Sequence, residues 1–244
     1  MISQRGTALN GDSDSDFFGY LVERGARSGE RLPPSPELAR LLGVSTAKLR
    51  EQLEVAQALG LVEIRPKTGI RVLPFDFTPS LRLASRFALA QDPSHFEHIG
   101  VLRNHVEAAF WFEAVSLLRP EDHARLQALI ESAWVKLQGD PVQIPHAEHR
   151  ALHLTVFSRL ENPFVRGILE VYWEAYEAVG LSRYADYAYL KDVWEYHQKM
   201  VEAILRGDFA AGYEALVAHT GLLQARPEAA RIPASAAGSR SVTP

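Results

Sequence analysis

The chain has 244 residues, 47% of them hydrophobic, and a formal net charge of −4 at pH 7, which suits a soluble chain with one small domain and a second of about 150 residues. It contains no apolar run long enough to span a bilayer and no charged start followed by an apolar stretch, which excludes a membrane span and a secretory signal and predicts a cytoplasmic location. Cysteine is absent, so disulfides and thiolate metal ligands are excluded and any metal must be held by histidine, aspartate or glutamate.

Residues 15–74 have the pattern of a winged helix-turn-helix domain, and the polar segment 1–14 before them is expected to lack fixed structure. Ser35 is a good N-cap, and Pro36 suits the first helical position because its missing N–H costs nothing there. The sequence therefore predicts a helix from about Pro36 to Leu42.

A second, longer helix is predicted after the turn supplied by Gly43. Ser45 can cap this helix, Gly60 ends it, and apolar residues recur along it at helical spacing. These apolar residues are Leu49, Leu53 and Ala56. The helix is the candidate reader of the DNA major groove.

Two short runs in which apolar and polar residues alternate flank a glycine-containing turn at 66–69. The apolar positions are Val62, Ile64, Ile70 and Val72. This alternation predicts a two-stranded hairpin, the wing of the domain. Residues 17–75 also carry nine Lys and Arg against six Asp and Glu, a net charge of +3 that falls where DNA would dock.

Residues 75–79 are predicted to be a linker, and residues 80–226 an antiparallel bundle of six or seven helices, so that the fold class is mainly α. Apolar residues recur at intervals of three or four, and proline or glycine interrupts them at five places. The interruptions are Asp92-Pro93, Arg119-Pro120, Gly139-Asp140-Pro141, Asn162-Pro163 and Gly207-Asp208. The tail 227–244 is expected to lack fixed structure.

Four histidines of the predicted bundle form a candidate metal site. His149 and His153 are four residues apart and share one helical face. His197 and His219 lie ten residues before and twelve after Gly207, the predicted turn between the last two helices, so they reach similar depths of roughly 15 and 18 Å along an antiparallel pair. Neutral imidazoles suit Zn²⁺, Ni²⁺, Cu²⁺ or Fe²⁺. The alternative is that these are unrelated core histidines.

The N-terminal third resembles the GntR family of bacterial transcription regulators. The matching segments are Gly29-Glu30-Arg31-Leu32-Pro33, Glu37-Leu38-Ala39, Gly43-Val44-Ser45, Leu49-Arg50-Glu51 and Gly60-Leu61-Val62. The candidate DNA-binding residues are Ser45, Thr46, Lys48, Arg50, Lys67 and Gly69. Family members commonly have arginine where this chain has Pro36 and Thr46, and this departure bears on operator sequence and affinity.

Residues 98–222 resemble the FCD effector domain of the FadR-like subfamily. The matching residues are Leu102-Arg103, Val106-Glu107, Leu152-His153, Asn162-Pro163, His197, Ile204, Gly207-Asp208 and His219. The resemblance implies metal binding by His149, His153, His197 and His219, with His149 where aspartate is usual. An all-nitrogen site favours zinc or nickel. The alternatives are that His149 does not bind and that His146 substitutes for it.

The resemblance also implies that polar groups around the metal receive an organic acid, for which Arg103 is the candidate, although a surface or interhelical salt bridge is the alternative. Aromatic residues form a belt in the middle of the bundle: Tyr172, Trp173, Tyr176, Tyr184, Tyr187, Tyr189 and Trp194. We expect most of them in the core or a dimer interface and one or two in the effector pocket.

Together these patterns predict a ligand-responsive regulator that acts as a homodimer on a double-stranded DNA operator and senses a small organic acid. Dimerisation is expected because one module contacts too few base pairs for useful specificity. Three alternatives remain: a metal-responsive repressor, a metal-dependent helical-bundle enzyme, and a protein that no longer recognises DNA. The chain has no well-placed general base beyond Glu148, which argues against the enzyme.

Overall fold

Residues 16–179 and 187–224 are described by a computed structural model of the chain, which divides into two units between Ser80 and Leu81. The first unit contains three helices followed by two strands. They are α1 (Asp16–Glu23), α2 (Ser35–Leu42), α3 (Thr46–Ala58), β1 (Val62–Arg65) and β2 (Gly69–Val72). The segment 1–14 and the tail 227–244, predicted to lack fixed structure, lie outside the described residues.

The turn and the helix caps of the helix-turn-helix are set by a few local residues. Gly43 ends α2 in a left-handed conformation, with φ of 66°, that glycine adopts without steric cost. The Ser45 hydroxyl accepts the backbone N–H of Lys48 at 3.1 Å and so caps α3, as predicted. The prediction that Ser35 caps α2 is wrong. The helix already includes Ser35, its N-cap is Pro34, and no side chain caps it.

The hairpin is confirmed, and its register explains the alternation in the sequence. Val62 pairs with Val72 and Ile64 with Ile70, so the apolar side chains share one face. That face packs on the core of the first unit. The core contains Phe17, Leu32, Leu38, Ala39, Leu49, Leu53, Ala56, Val62, Ile70 and Val72.

Among the described residues of the second part of the chain there are seven helices, consistent with the predicted mainly α bundle. They are α4 (Thr78–Gln91), α5 (His95–Ser116), α6 (Pro120–Leu137), α7 (His146–Val156), α8 (Pro163–Val179), α9 (Tyr187–Leu205) and α10 (Phe209–Gln224). All five predicted interruptions separate consecutive helices. Residues 180–186, between α8 and α9, lie outside the described residues. Because α4 begins at Thr78, the last two residues of the predicted linker 75–79 are helical.

The second unit is organised by pairs of packed helices. The hairpin α9–α10 turns at Gly207, whose φ of 73° suits a residue without a side chain. Helix α5 packs against α8 and α10, and α6 packs against α7 and α9. Trp111 of α5 is fully buried and donates its indole N–H to the Phe209 carbonyl at 2.8 Å, which fixes α5 to the start of α10. Within the described part of the chain, no helix is long and apolar enough to cross a membrane.

We predict that Gly212→Ala destabilises the second unit. A Cβ added at Gly212 would lie 2.7 Å from Cζ2 of Trp111, closer than carbon atoms approach without movement. Trp111 is held by its hydrogen bond and its burial, so we expect a loss of about 1–3 kcal/mol in the free energy of unfolding, measured by urea denaturation.

Gly221→Ala is the matched control in the same helix. A Cβ at Gly221 meets nothing within 4 Å, and alanine favours a helix, so this variant should be neutral or slightly more stable. Equal stability of both variants and the wild type would show that α10 shifts freely over Trp111.

Candidate metal centre and DNA interface

The four predicted histidines come together in the core of the second unit. Helix α7 supplies His149 and His153, α9 supplies His197, and α10 supplies His219. One potential ligand atom of each lies within 4.8 Å of the others. His149 exposes 9% of its surface and the other three expose 1% or less. The convergence predicted from the spacing about Gly207 is therefore present, with ring centroids of His197 and His219 4.2 Å apart.

One pair of ring nitrogens already has the spacing of two ligands on one metal ion, and several others are buried without a partner in the described part of the chain. Nε2 of His153 lies 3.0 Å from Nε2 of His197. Two nitrogens bound to one zinc ion at about 2.1 Å would lie about 3.0–3.4 Å apart. Several other ring nitrogens are buried without a hydrogen-bond partner among the described residues: Nε2 of His149, Nδ1 of His197, and both nitrogens of His219. Unpartnered buried polar atoms are rare because they lose their hydration without compensation, and a bound cation would engage such lone pairs.

The protonation states also suit coordination. Burial lowers the pKa of His149, His153, His197 and His219 well below the ordinary value, and nearby Arg103 lowers each pKa further. At neutral pH the imidazoles are therefore uncharged. Each then offers a nitrogen lone pair without first losing a proton.

Arg103 of α5 lies beside this cluster and is 1% exposed. Its Nη2 is 2.7 Å from Nδ1 and 3.1 Å from Nε2 of His153, and its guanidinium carbon lies 5.0 Å from the ring centre of Tyr172. Arg103 does form a salt bridge, but not the predicted surface or interhelical one: its Nε lies 2.8 Å from Oε1 of Glu107, which is buried one turn later in the same helix. Arg103 therefore contacts both the histidine cluster and a buried carboxylate.

Glu107 is the residue of the site that the sequence analysis missed. It is fully buried, and its Oε1 lies 3.2 Å from Nδ1 of His153. Burial raises the pKa of this carboxyl, while Arg103 and His219 oppose the change. The sequence did contain a signal, since Arg103 and Glu107 are four residues apart in a helix and so share a face.

His146, the predicted substitute for His149, does not belong to the group that could hold an ion. Glu148, adjacent to His149, accepts hydrogen bonds from Ser132 at 3.0 Å and from Lys136 at 2.9 Å. Its carboxylate is therefore engaged by α6. His149 is therefore the residue in the first turn of α7 that can donate a nitrogen lone pair to an ion.

Four aromatic residues of the predicted belt surround the histidines. Trp173 lies 4.6 Å from His149 and Trp194 4.9 Å from His197, measured between ring centroids. Tyr172 and Tyr176 pack beside Trp173. Tyr184 of the same belt lies outside the described residues. The aromatic rings shield the imidazoles on the sides of α8 and α9.

The candidate DNA-binding residues all lie on the surface of the first unit. They are the N-cap Ser45 and Thr46, Lys48 and Arg50 at the start of α3, Lys67 in the hairpin turn and Gly69 at the start of β2. Lys48 pairs with Asp16 at 2.6 Å and Arg50 with Glu54 at 3.1 Å. Such exposed ion pairs contribute little to stability, so DNA phosphates can compete for both cations.

Comparisons with known proteins agree on the kind of protein. Residues 98–222, just over half of the chain, match the family model described as the FCD domain. The Uxu operon transcriptional regulator of Escherichia coli (strain K12) is 25% identical over 205 residues, which cover 82% of this chain and 79% of that protein. An uncharacterized HTH-type transcriptional regulator of the same strain, YieP, is 25% identical over 192 residues, which cover 77% and 81%.

A solved structure shares the fold. Streptococcus agalactiae GntR aligns with a TM-score of 0.57 at 19% sequence identity, and the alignment covers 85% of this chain and 95% of that one.

We predict that replacing both His153 and His197 with alanine abolishes stoichiometric zinc binding, because two of the four donors are removed from facing helices. Metal content would be measured by elemental analysis after loading and dialysis, and folding by circular dichroism.

His95→Ala combined with His98→Ala is the control. These two histidines are exposed and their Nδ1 atoms lie 3.3 Å apart, so they test any adventitious surface binding. Full zinc content in the folded His153/His197 variant would rule out the four-histidine centre.

Proposed function

Because the chain belongs to the GntR family of bacterial transcription regulators and carries an FCD effector-binding domain, we propose that it is a homodimeric regulator that senses a small organic acid at a metal centre. The family supports regulation of transcription and argues against an enzyme. The observation that supports metal-dependent sensing is the group of four buried histidines with unpartnered ring nitrogens. As a DNA-binding regulator, it would act in the cytoplasm.

DNA recognition is assigned to α3 and the hairpin of the first unit. The six candidate residues are exposed on these elements, and Lys48 and Arg50 are held only by exposed ion pairs. In a winged helix-turn-helix, the N-terminal part of the recognition helix contacts base edges in the major groove. A homodimer would present two such helices to two half-sites of an operator.

The charge of the second site favours an anionic effector. Arg103 contributes a buried positive charge, and its ion pair with Glu107 favours the charged carboxylate against the burial that raises the pKa of that group. A divalent ion held by four neutral imidazoles would leave this buried region with an excess of positive charge, which an anion compensates. A small carboxylate supplies such an anion, and guanidinium groups recognise carboxylates well.

Zinc or nickel suits the donors, since imidazole nitrogen is a good ligand for both. When bound, such an ion acts as a Lewis acid that can accept an oxygen of the effector. Arg103 would orient the same carboxylate from α5. A change in helix positions then alters DNA binding only to the extent that the effector binds one state better than the other.

We predict that Arg50→Ala weakens binding to an operator selected from genomic DNA. Loss of an arginine contact to a base or phosphate should cost on the order of 1–3 kcal/mol and make the affinity less sensitive to salt. Fluorescence anisotropy across a salt series would measure both quantities.

Arg125→Ala, which removes an exposed arginine of α6, is the matched control. An unchanged operator affinity in Arg50→Ala would reject the proposed docking of α3. If the wild type bound DNA only weakly and without sequence preference, the absence of arginine at Pro36 and Thr46 would mark a protein that does not recognise an operator.

A second prediction separates a metabolite sensor from a metal-responsive repressor. We expect one member of a panel of small organic acids to change the operator affinity of the zinc-loaded protein about 5- to 150-fold, the usual range of allosteric coupling. The effect should be lost in Arg103→Gln and kept in Arg166→Gln, which alters an exposed arginine of α8. Operator affinity that follows free zinc alone, with every acid inactive, would instead support the metal-responsive repressor.

A further inference from the structure

Glu107 is a buried carboxylate whose position packing alone does not explain. It is fully buried, and neither of its oxygens has a hydrogen bond of good geometry among the described residues, although Arg103 lies close enough for an ion pair. Removing a carboxylate from water without full compensation is unfavourable, and an apolar residue could fill the same volume. Its neighbours therefore suggest what it does.

The two nitrogens of His153 face different surroundings. Nε2 faces the cluster, 3.0 Å from Nε2 of His197, whereas Nδ1 lies 3.2 Å from Oε1 of Glu107. A neutral imidazole has one N–H and one lone pair. With the hydrogen on Nδ1, the lone pair of Nε2 points into the cluster. With the hydrogen on Nε2, that hydrogen points at the other histidine nitrogens and prevents coordination of an ion through Nε2.

We propose that Glu107 is a positioning residue of the metal centre: it accepts the Nδ1–H of His153, and so holds this histidine in the tautomer whose Nε2 faces the ion. The proposal rests on the metal centre described above. A ligating histidine commonly donates its second ring N–H to a carboxylate, which orients the ring and makes the ligating nitrogen more basic. Oε1 of Glu107, 3.2 Å from Nδ1, is within reach of this hydrogen bond, and a small rotation of either side chain would give it good geometry.

Arg103 does not perform this task. Its Nη2 lies 2.7 Å from Nδ1 and 3.1 Å from Nε2 of His153, so it sits beside the ring between the two nitrogens and not along either lone pair. A guanidinium is also a donor only, and it cannot accept the Nδ1–H. Among the described side chains around His153, Glu107 offers an acceptor within reach of Nδ1, at 3.2 Å.

The carboxylate form of Glu107, which the ion pair with Arg103 favours, also supplies negative charge to a donor set that has none. His149, His153, His197 and His219 bind as neutral groups, and Arg103 adds a positive charge nearby. The carboxylate offsets part of the charge of a divalent ion without occupying a coordination position. Positions on the ion therefore stay open for an effector.

The test compares zinc affinity, measured with a chromophoric competitor, in the full-length wild type, Glu107→Gln and Glu148→Gln. Glutamine keeps the shape of Glu107 and removes its charge. We expect zinc to bind about 10- to 100-fold more weakly to Glu107→Gln, the usual effect of losing such a partner. Glu148→Gln is the matched control, because Glu148 is also a buried glutamate near the centre but is bonded to Ser132 and Lys136.

Nuclear magnetic resonance of the wild type tests the proposal without any substitution that affects folding. In long-range proton–nitrogen spectra of ¹⁵N-histidine-labelled protein, His153 should be protonated on Nδ1, and on addition of zinc its Nε2 resonance should shift. Binding of zinc through Nδ1 would overturn the role of Glu107, as would wild-type zinc affinity in folded Glu107→Gln. Failure of the wild type to bind zinc is a separate result, which would overturn the metal centre and this proposal with it.

Discussion

The burial of ionisable groups at one point of the helical core is the constraint on which the second unit depends. Four imidazoles, a guanidinium and a carboxylate lie where little or none of their surface reaches solvent. Each must therefore satisfy its lone pairs and charges with its neighbours or with a ligand. Apolar packing sets the positions of the helices that carry these groups. Gly212 lets Trp111 of α5 approach α10, and the turn at Gly207 folds α10 back against α9. The chemistry of the centre thus follows from the same contacts that pack the bundle.

Local signals were sufficient to predict most of the elements. Gly43, Ser45 and the alternation on either side of Lys67 act over a few residues, and the structure confirms the turn, the cap and the hairpin that they indicate. Ser35 was predicted wrongly, because the preceding Pro34 takes the N-cap position and the helix begins one residue earlier. Proline and glycine marked five helix boundaries.

The histidine cluster was predictable because its geometry depends on two simple relations, the four-residue repeat in α7 and the symmetry of α9 and α10 about Gly207. The role of Glu107 was not predictable. Glu107 belongs to α5, and the register of α5 against α7 depends on side-chain packing between helices that are distant in sequence. A charged residue in an amphipathic helix usually faces solvent. Only the fold shows that the face carrying Arg103 and Glu107 points inward.

The placement of His219 on α10 has a consequence for local unfolding. Single helices of a domain can open and exchange their amide protons without unfolding the rest of it. In this chain, release of α10 would also withdraw His219, one of the four nitrogen donors, from the centre. An ion that binds only when α10 is packed would therefore shift the equilibrium toward the packed form by mass action. Amide exchange in α10 would then slow as metal concentration rises, together with exchange in α7 and α9, which hold the other three histidines.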